Sequence, residues 1–332
     1  MLLSRPIDAA VAYRVSFSAI ARRRSFLNRV NSMLGETQSS GERGDAPSGL
    51  RTALSLELAG KDRFIGRNSQ TRPRVYGGQL MAQALLAASN TVEGPQVAHS
   101  LHAYFGLRGD VASLIDFEVD RVKDGASYSI RRARAFQNGR EIFSLSASFQ
   151  RPEEGLEHQA LEAVAAPAPE DLPTTRAGAP TDTSDPAYLI TTALRPTGFE
   201  PRWIDPYPGG PPRPGVQRLW VRSQEPLGDD PMLHRAALAY ISDYPALEVA
   251  LLPFGFGWSN GNLSVVSLDH AMWFHRDFDL NDWLLCSTEL VSAQGGRAFV
   301  RGSFYDRAGA LVATFTQEGV VRLTRKAGDA FP

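Results

Sequence analysis

The stretch from Val265 to Asp279 crowds aromatic residues, a hydroxyl group and two histidines into one strand-like segment. His270 and His275 are five residues apart and Asp269 precedes the first of them, so the segment could hold part of a metal site or of a nucleophile triad. The spacing argues against both, because residues five apart in a strand point to opposite faces. We therefore expect hydrogen-bonded, structural histidines and no activated serine of the nucleophile-elbow kind.

Two polar residues outside this segment could take part in chemistry. Asp243 ends an apolar, helical stretch, where a carboxylate must either face water or be held by donors. Gln317 lies in a β-rich run, and its amide can donate and accept hydrogen bonds at once. Taken singly, a solvated aspartate at a helix end and an ordinary sheet glutamine explain both residues equally well.

The Gly77-Gly78 pair comes directly before a predicted helix. Its backbone N–H groups and the positive helix end could contact a phosphate or a developing oxyanion. A tight strand-to-helix turn is the alternative. The turn is favoured on sequence alone, because no nucleotide-binding glycine pattern accompanies the pair.

A helix and three strands can be predicted in the first half of the chain. The run from Leu80 to Ser89 consists mostly of Leu, Met, Ala and Gln without a β-branched residue, which favours a helix around which a sheet can pack closely. Apolar and polar residues alternate from Ile115 to Asp120 and from Phe143 to Phe149, and Tyr128 to Phe136 is a third candidate strand. The Asn138-Gly139 pair predicts a hairpin between the last two strands.

The second half repeats this plan with different residues. A helical stretch around Leu233 to Tyr240 is followed by the strand-like segment Leu263 to Phe274. Further strands are predicted at Trp283 to Val291, Ala298 to Tyr305 and Leu311 to Gln317. His102-Ala-Tyr-Phe105 resembles His270-Ala-Met-Trp-Phe274, which supports the duplication of a unit made of one helix and an antiparallel sheet.

Size and composition indicate a globular protein of two domains. The chain has 332 residues, 43% of them hydrophobic and 21% charged, and a formal net charge of -1. We expect no nucleic-acid partner, and any anion-binding site must be local. No apolar run approaches the length of about 20 residues that crosses a bilayer, so no membrane span is expected. The single cysteine, Cys286, excludes an internal disulfide and is expected to pack inside a strand.

Four segments are predicted along the chain. Residues 1–50 form an amino-terminal extension that we expect to be mobile, and residues 51–151 and 186–325 form the two domains. Residues 152–185 are rich in Pro, Ala, Glu and Thr, which predicts a solvated linker. The first 33 residues carry six arginines and one acid, the composition of a mitochondrial transit peptide. A mobile tail or a start codon placed too far upstream is the alternative that we favour, with a cytoplasmic location.

Five short blocks, spread over both halves, form a pattern of their own. They are Arg74-Val-Tyr-Gly-Gly-Gln79, His99-Ser-Leu-His-Ala-Tyr-Phe105, Tyr240-Ile-Ser-Asp243, Leu268-Asp-His-Ala-Met-Trp-Phe-His-Arg276, and Arg297-Ala-Phe-Val-Arg-Gly302 with Gln317-Glu-Gly319. Taken together and in this order, they closely resemble the acyl-CoA thioesterase II family, the TesB type. The resemblance excludes the amino-terminal extension and much of the linker.

That resemblance implies a double hot-dog fold of the α+β class, in which each tandem half wraps an antiparallel sheet around one long helix. It implies hydrolysis of acyl-CoA to a free fatty acid and CoA, with an Asp, a Thr and a Gln of the second half holding the attacking water. The aspartate falls on Asp243, the glutamine on Gln317 and the threonine on Ser267. No cofactor or metal is implied, and a homodimer or larger homo-oligomer is expected.

The chain departs from the family pattern at a few positions. Ser267 keeps the hydroxyl but lacks the β-methyl of threonine, so its hydrogen bond is available while its rotamer is less fixed. Arg108 stands where the family usually has a proline before Gly-Asp, and Asp277 stands where it usually has a proline after the arginine. Two alternatives stay open: a hot-dog enoyl-CoA hydratase, which would need an Asp–His pair, and a non-catalytic acyl-CoA binding or sensing protein. Neither the acyl chain length nor the arginines that hold the CoA phosphates can be read from the sequence.

Overall fold

The computed structural model describes residues 49–68, 74–182, 198–244, 246–258 and 263–323. Nearly all of the predicted amino-terminal extension therefore lies outside the described residues. Only Gly49 and Leu50 of that segment are included, and Leu50 is buried at the start of the first helix.

The first half is a short helix followed by six strands with a long helix between the second and the third. The long helix is buried along nearly its whole length, from Gly78 to Ala88, as its alanine-rich sequence predicts. Asn138 and Gly139 both have positive φ values, 51° and 73°, and form the expected hairpin turn. The elements are α1 (Leu50–Leu54), β1 (Leu56–Gly60), β2 (Arg63–Gly66), α2 (Gly77–Ser89), β3 (Val97–Phe105), β4 (Ile115–Lys123), β5 (Tyr128–Gln137) and β6 (Arg140–Gln150).

The second half repeats the order of two strands, a buried helix and four strands, with a 3-10 helix and one additional strand inserted after the helix. Asp230 caps that helix by accepting a hydrogen bond from the Met232 backbone N–H at 2.8 Å, and Pro231 occupies its first turn. A 3-10 helix, Ala246–Phe254, follows it. The elements are β7 (Phe199–Trp203), β8 (Val216–Ser223), α3 (Pro231–Ser242), β9 (Leu263–Ser267), β10 (Asp269–Phe274), β11 (Leu284–Gln294), β12 (Arg297–Tyr305) and β13 (Leu311–Leu323).

All thirteen described strands join one antiparallel sheet. Its order is β1-β2-β4-β5-β6-β3-β10-β13-β12-β11-β8-β7, and β9 also pairs with β13. The order outward from the centre is the same in both halves, and the two central strands pair at His102 with Ala271 and at Ala103 with His270. The predicted α+β architecture with a duplicated unit is confirmed.

The segment 263–274 is two strands, and the prediction of one continuous strand is wrong there. Ser267 pairs with Gly319 while Ala271 pairs with Thr316, so four steps along one strand oppose three along the other. The extra residue is Leu268, whose backbone N–H donates to Glu318 O and whose carbonyl accepts from the Phe105 N–H, both at 2.9 Å. This bulge changes which face the following side chains occupy.

The two long helices meet at a point where only glycine fits. A Cβ atom built on Gly78 would lie 2.1 Å from the carbonyl oxygen of Tyr240. The hydroxyl of Tyr76 donates to the same carbonyl oxygen at 3.0 Å. The start of α2 is therefore held against the last turn of α3.

The segment between the halves is packed in part, whereas its composition predicts a solvated linker. Residues 151–168 contain no regular element and are mostly exposed. However, Leu172 packs against the second hydrophobic cluster around Trp220 and Trp283, and Trp220 donates its indole N–H to Pro167 O at 2.9 Å. Arg176 is only 8% exposed. A few anchoring residues decide the packing, and average composition does not reveal them.

Candidate active site

The structure brings Asp243, Ser267 and Gln317 together from three elements of the second half. Asp243 caps the carboxyl end of α3, Ser267 ends β9 and Gln317 lies fully buried in β13. The amide nitrogen of Gln317 donates to Asp243 Oδ1 at 3.0 Å and to Ser267 Oγ at 2.7 Å. The Ser267 hydroxyl is 3.4 Å from Asp243 Oδ1, longer than the usual O–H···O distance of about 2.7–2.8 Å.

The first half supplies a donor to the Asp243 carboxylate. The Gly78 backbone N–H, in the first turn of α2, donates to Asp243 Oδ2 at 3.0 Å. The positive end of the helix favours a negative charge at this place. A Cβ atom on Gly77 would lie 2.9 Å from the same oxygen and 2.7 Å from the Phe105 ring. Only glycine at position 77 therefore leaves room for the carboxylate.

That contact changes the interpretation of the Gly77-Gly78 pair. The Gly78 N–H donates to Asp243 and is therefore not available to an oxyanion in this arrangement, which bears on the hypothesis of an oxyanion donor at Gly77 or Gly78. Gly77 lines the cavity beside Asp243. An oxyanion role for the Gly77 N–H stays a prediction.

His270 lies behind Gln317 and fixes its orientation. The buried His270 ring contacts Gln317 Oε1 through Nδ1 at 2.9 Å and Ser242 Oγ through Nε2 at 3.1 Å, and it stacks on Phe315. Because Gln317 Oε1 can only accept, Nδ1 carries the proton. Burial lowers the pKa of His270 against the opposing charge of Asp243, which keeps the ring neutral.

The two histidines behave as the strand geometry predicts. His275 is exposed and contacts the Thr314 hydroxyl at 2.9 Å, on the face opposite to His270. Both are hydrogen-bonded parts of the framework, as expected. The sequence gives no indication that His270 reaches Gln317, because the bulge at Leu268 turns Ser267 and His270 towards the same side.

The three residues border a cavity of about 720 Å³. Its walls are largely apolar, with contributions from Val75 and Phe105 of the first half and from Trp203, Tyr244 and Leu247 of the second. The segment between the halves completes it with Thr174, Thr175, Arg176, Ala179 and Pro180. An apolar cavity of this size with a small polar cluster on its wall is suited to a ligand with a hydrophobic chain.

A buried ion pair closes one wall of this cavity. The Arg176 guanidinium donates to Glu248 Oε1 at 2.6 Å and lies 3.7 Å from the centre of the Trp203 ring. Glu248 also accepts from the Gln217 amide at 2.5 Å and from the Trp258 indole at 2.7 Å. This cluster could not be predicted from the sequence, since its members come from four separate parts of the chain.

Cys286 is not a nucleophile. The thiol is buried, and burial raises its pKa to about 12. The predicted packing role in a strand is confirmed.

The sequence does contain one serine pattern of the nucleophile-elbow kind, contrary to the expectation of none. Gly257-Trp-Ser-Asn-Gly261 matches the Gly-x-Ser-x-Gly spacing of a nucleophile elbow. Ser259 lies outside the described residues. The pattern follows a 3-10 helix and precedes β9, whereas an elbow needs a strand before it and a helix after it.

None of the helices in the described ranges has the length and apolar character of a membrane-spanning segment. Within the same ranges, no group of three or more His, Cys, Asp and Glu side chains is arranged to hold a metal ion.

Comparison with known proteins identifies the family. The family profile described as "Acyl-CoA thioesterase" matches residues 192–320, and "Acyl-CoA thioesterase N-terminal domain" matches residues 66–150. The chain is 35% identical over 314 residues to human "Acyl-coenzyme A thioesterase 8", covering 86% of this chain and 94% of that protein. The chain belongs to the acyl-CoA thioesterase family.

Other members of the acyl-CoA thioesterase family agree in sequence and fold. "Acyl-CoA thioesterase 2" of Haemophilus influenzae is 32% identical over 295 residues, covering 84% of this chain and 99% of that protein. The crystal structure of "Acyl-CoA thioesterase II TesB2" from Mycobacterium marinum superposes with a TM-score of 0.68 at 36% identity, covering 82% of this chain and 98% of the other. A hot-dog protein from Alicyclobacillus acidocaldarius, 19% identical over 82% of this chain and 97% of the other, has the same TM-score and shows the fold alone.

The resemblance stated from five sequence blocks is thus confirmed for family and fold. Within this thioesterase the structure groups the three predicted site residues on one cavity wall. Their catalytic roles remain predictions.

Proposed function

We propose that this chain hydrolyses acyl-CoA thioesters to a fatty acid and CoA by direct attack of a water molecule held at Asp243 and Ser267, the two groups that Gln317 aligns. The observation that carries the proposal is the Gln317 amide, which contacts both Asp243 and Ser267 while facing an apolar cavity. These three side chains supply a base, a hydroxyl and an alignment group without a nucleophile that would need a covalent intermediate.

Asp243 acts as the general base. Its Oδ1 lies 3.4 Å from Ser267 Oγ, so a water molecule beside the pair, on the cavity side, can hydrogen-bond to both oxygens. The water oxygen attacks the thioester carbonyl carbon while Asp243 takes one of its protons. A base positioned in this way is typically worth about 10²- to 10⁴-fold in rate.

The leaving group needs little help. When the tetrahedral intermediate collapses, the C–S bond breaks and its electron pair leaves with the sulfur as the CoA thiolate. The proton held by Asp243 then passes to the thiolate or to solvent. No strong general acid is required, which fits a site whose neighbouring histidine is buried and engaged through both ring nitrogens.

Gln317 aligns the other two groups. Its two amide hydrogens point to Asp243 and Ser267, and its oxygen is occupied by His270. A flipped amide would put its oxygen against the carboxylate of Asp243. His270 is therefore a positioning residue that holds Gln317 in the productive orientation.

Thiol release separates the reaction from its rivals. Acyl-CoA thioesters of increasing chain length, and an enoyl-CoA, are incubated with the wild-type protein while free thiol and enoyl absorbance are followed separately. We expect thiol release at the same rate as fatty acid formation. Loss of the enoyl absorbance without thiol would indicate a hydratase, and tight binding without turnover on any chain length would indicate a binding protein.

Oligomeric state and location belong to the same proposal. We propose a homodimer or larger homo-oligomer, which follows from the family resemblance, and a cytoplasmic location. Size-exclusion chromatography with light scattering tests the assembly, and a monomer at working concentration would contradict it.

A further inference from the structure

Two arginines at the edge of the cavity lie next to each other without an acidic partner. Arg74 precedes α2 and Arg108 lies in the loop after β3, and both are exposed while lining the cavity. Within the described ranges, no carboxylate forms an ion pair with either guanidinium. Like charges held together in this way create a local positive potential in a chain whose formal net charge is -1.

The backbone holds the two arginines together. The Val75 N–H donates to Gly109 O at 3.5 Å, and a Cβ atom on Gly109 would lie 2.7 Å from Val75 Cγ2. Glycine at position 109 therefore permits a contact that places the neighbouring residues, Arg74 and Arg108, side by side.

The loop that carries Arg108 is fixed by a buried amide. Gln137 accepts from the Asp110 N–H at 2.8 Å and donates to the carbonyl oxygens of Asp110 and Ser113 at 2.8 and 3.0 Å. The Asp110 carboxylate is turned into its own loop, where it accepts from Ala112 N and Ser113 Oγ. The one acid next to Arg108 in sequence is thus occupied elsewhere.

The two guanidinium groups are close enough to repel each other. Partial burial and, second, the positive charge of Arg108 lower the pKa of Arg74. An anion between the two guanidiniums would relieve this repulsion and accept hydrogen bonds from their planar N–H groups.

We propose that Arg74 and Arg108 bind the phosphate groups of the CoA part of the substrate at the mouth of the cavity. This inference rests on the proposed function, since it requires the thioester to lie at Asp243 with the CoA arm leading outwards. Arg108 occupies a position where the family resemblance predicts proline. Its role in phosphate binding is therefore specific to this chain and is not expected of relatives that carry the proline.

The test compares substrates that differ only in their phosphates. Steady-state constants are measured for wild type, Arg74→Gln, Arg108→Gln and the double variant with one acyl group carried on CoA, on 3′-dephospho-CoA and on pantetheine. We expect KM for the CoA thioester to rise about 3- to 10-fold for each change with kcat nearly constant, because exposed charge pairs are screened. The KM for the pantetheine thioester should not change.

The measurements with the 3′-dephospho-CoA thioester show which phosphate group of CoA the arginines bind. A KM rise that persists with dephospho-CoA assigns the arginines to the diphosphate, and a rise that disappears assigns them to the 3′-phosphate. Arg74→Lys should restore much of the loss, whereas Arg132→Gln, on the exposed side of β5, is the matched control and should behave as wild type.

Equal KM values for wild type and the double variant on the CoA thioester would overturn the inference, as would an equal KM rise on the pantetheine thioester. If the wild-type protein releases thiol from none of the three substrates, the proposed function is overturned instead. Salt provides an independent measurement: raising ionic strength should increase the wild-type KM for the CoA thioester more steeply than that of the double variant.

Discussion

Asp243 is the residue at which the two halves of the molecule meet chemically. Its Oδ2 accepts a hydrogen bond from the backbone N–H of Gly78 in the first half, and its Oδ1 accepts one from the Gln317 amide in the second. The Ser267 hydroxyl faces the same Oδ1 from 3.4 Å. Each partner contacts a defined atom, so single substitutions have separable effects.

Replacement of Ser267 by threonine should increase the rate of hydrolysis. The β-methyl of threonine restricts χ1 and would hold the hydroxyl towards Asp243 for more of the time. We expect Ser267→Thr to raise kcat about two- to five-fold and Ser267→Ala to lower it about tenfold, as measured by thiol release at saturating acyl-CoA.

Ser264→Thr, on the same strand but away from the cavity, is the control for the added methyl group and should leave kcat unchanged. A kcat for Ser267→Thr below that of wild type would show that the serine is required for space.

Removal of His270 should release Gln317. We expect His270→Ala to lower kcat about 10- to 100-fold with little change in KM, because the Gln317 amide loses the contact that orients it. His275→Ala removes a histidine from the opposite face and should keep wild-type kinetics. A parallel loss of kcat in both variants would contradict the positioning role.

The pH dependence of stability gives a second readout for His270. Because burial lowers its pKa in the folded chain, the unfolded chain binds more protons just below the unfolded value of about 6.5. Wild-type stability should therefore fall as the pH falls through 6.5 and below. The thermal midpoint of His270→Ala should decline less over that range, whereas an equal decline would contradict the assignment of a neutral buried ring.

At the scale of elements, the junction of α2 with α3 decides the geometry of the site. Alanine is favoured over glycine inside helices by about 0.5–1 kcal/mol, but a Cβ atom at Gly78 would lie 2.1 Å from Tyr240 O. The cost of this steric clash, about 1–3 kcal/mol or more, exceeds the gain in helix propensity. We expect Gly78→Ala to lower the thermal midpoint and kcat together, because the shifted helix carries away the donor to Asp243.

Gly155→Ala provides the matched control. A Cβ atom there meets nothing within 4 Å, so stability and kcat should stay near wild type. An unchanged kcat for Gly78→Ala would show that the helix junction does not support the carboxylate.

Most elements could be predicted from local sequence, since alternation and propensity act over a few residues. The helix after Tyr76 and the Asn138-Gly139 hairpin are examples. The bulge at Leu268 could not be predicted, because neither glycine nor proline marks it. It is set by the pairing of β9 and β10 with β13 and by the Phe105 N–H of the other half.

At the scale of the whole molecule, the cavity is built from both halves and from the segment between them. The family resemblance pointed to Asp243, Ser267 and Gln317, which the structure places together. It did not predict the contact of Gly78 with Asp243, 165 positions away, because long-range contacts leave no local pattern in a single sequence. The pairing of Arg176 with Glu248 could not be predicted for the same reason.

Breaking the Arg176–Glu248 pair should destabilise the fold. Both side chains are at most 10% exposed, and removing one partner of a buried pair leaves an uncompensated charge at a cost of about 3–5 kcal/mol. We expect Arg176→Ala to lower the free energy of unfolding by an amount in this range, as measured by urea titration.

Arg301→Ala is the comparison for an exposed pair. Arg301 and Glu289 are 62% and 42% exposed, so this change should be nearly neutral. Equal effects of the two substitutions would show that the segment between the halves does not anchor the fold.

Conversion of Asp243 to the isosteric amide tests whether this carboxylate is the base for the attack by water. Thiol release from a series of acyl-CoA thioesters is measured for wild type, Asp243→Asn and the exposed control Asp116→Asn, with thermal midpoints recorded in parallel. The role of Asp243 as the base predicts a fall in kcat of about 10²- to 10⁴-fold for Asp243→Asn alone, with the fold intact. Equal kcat values for wild type and a folded Asp243→Asn would contradict it.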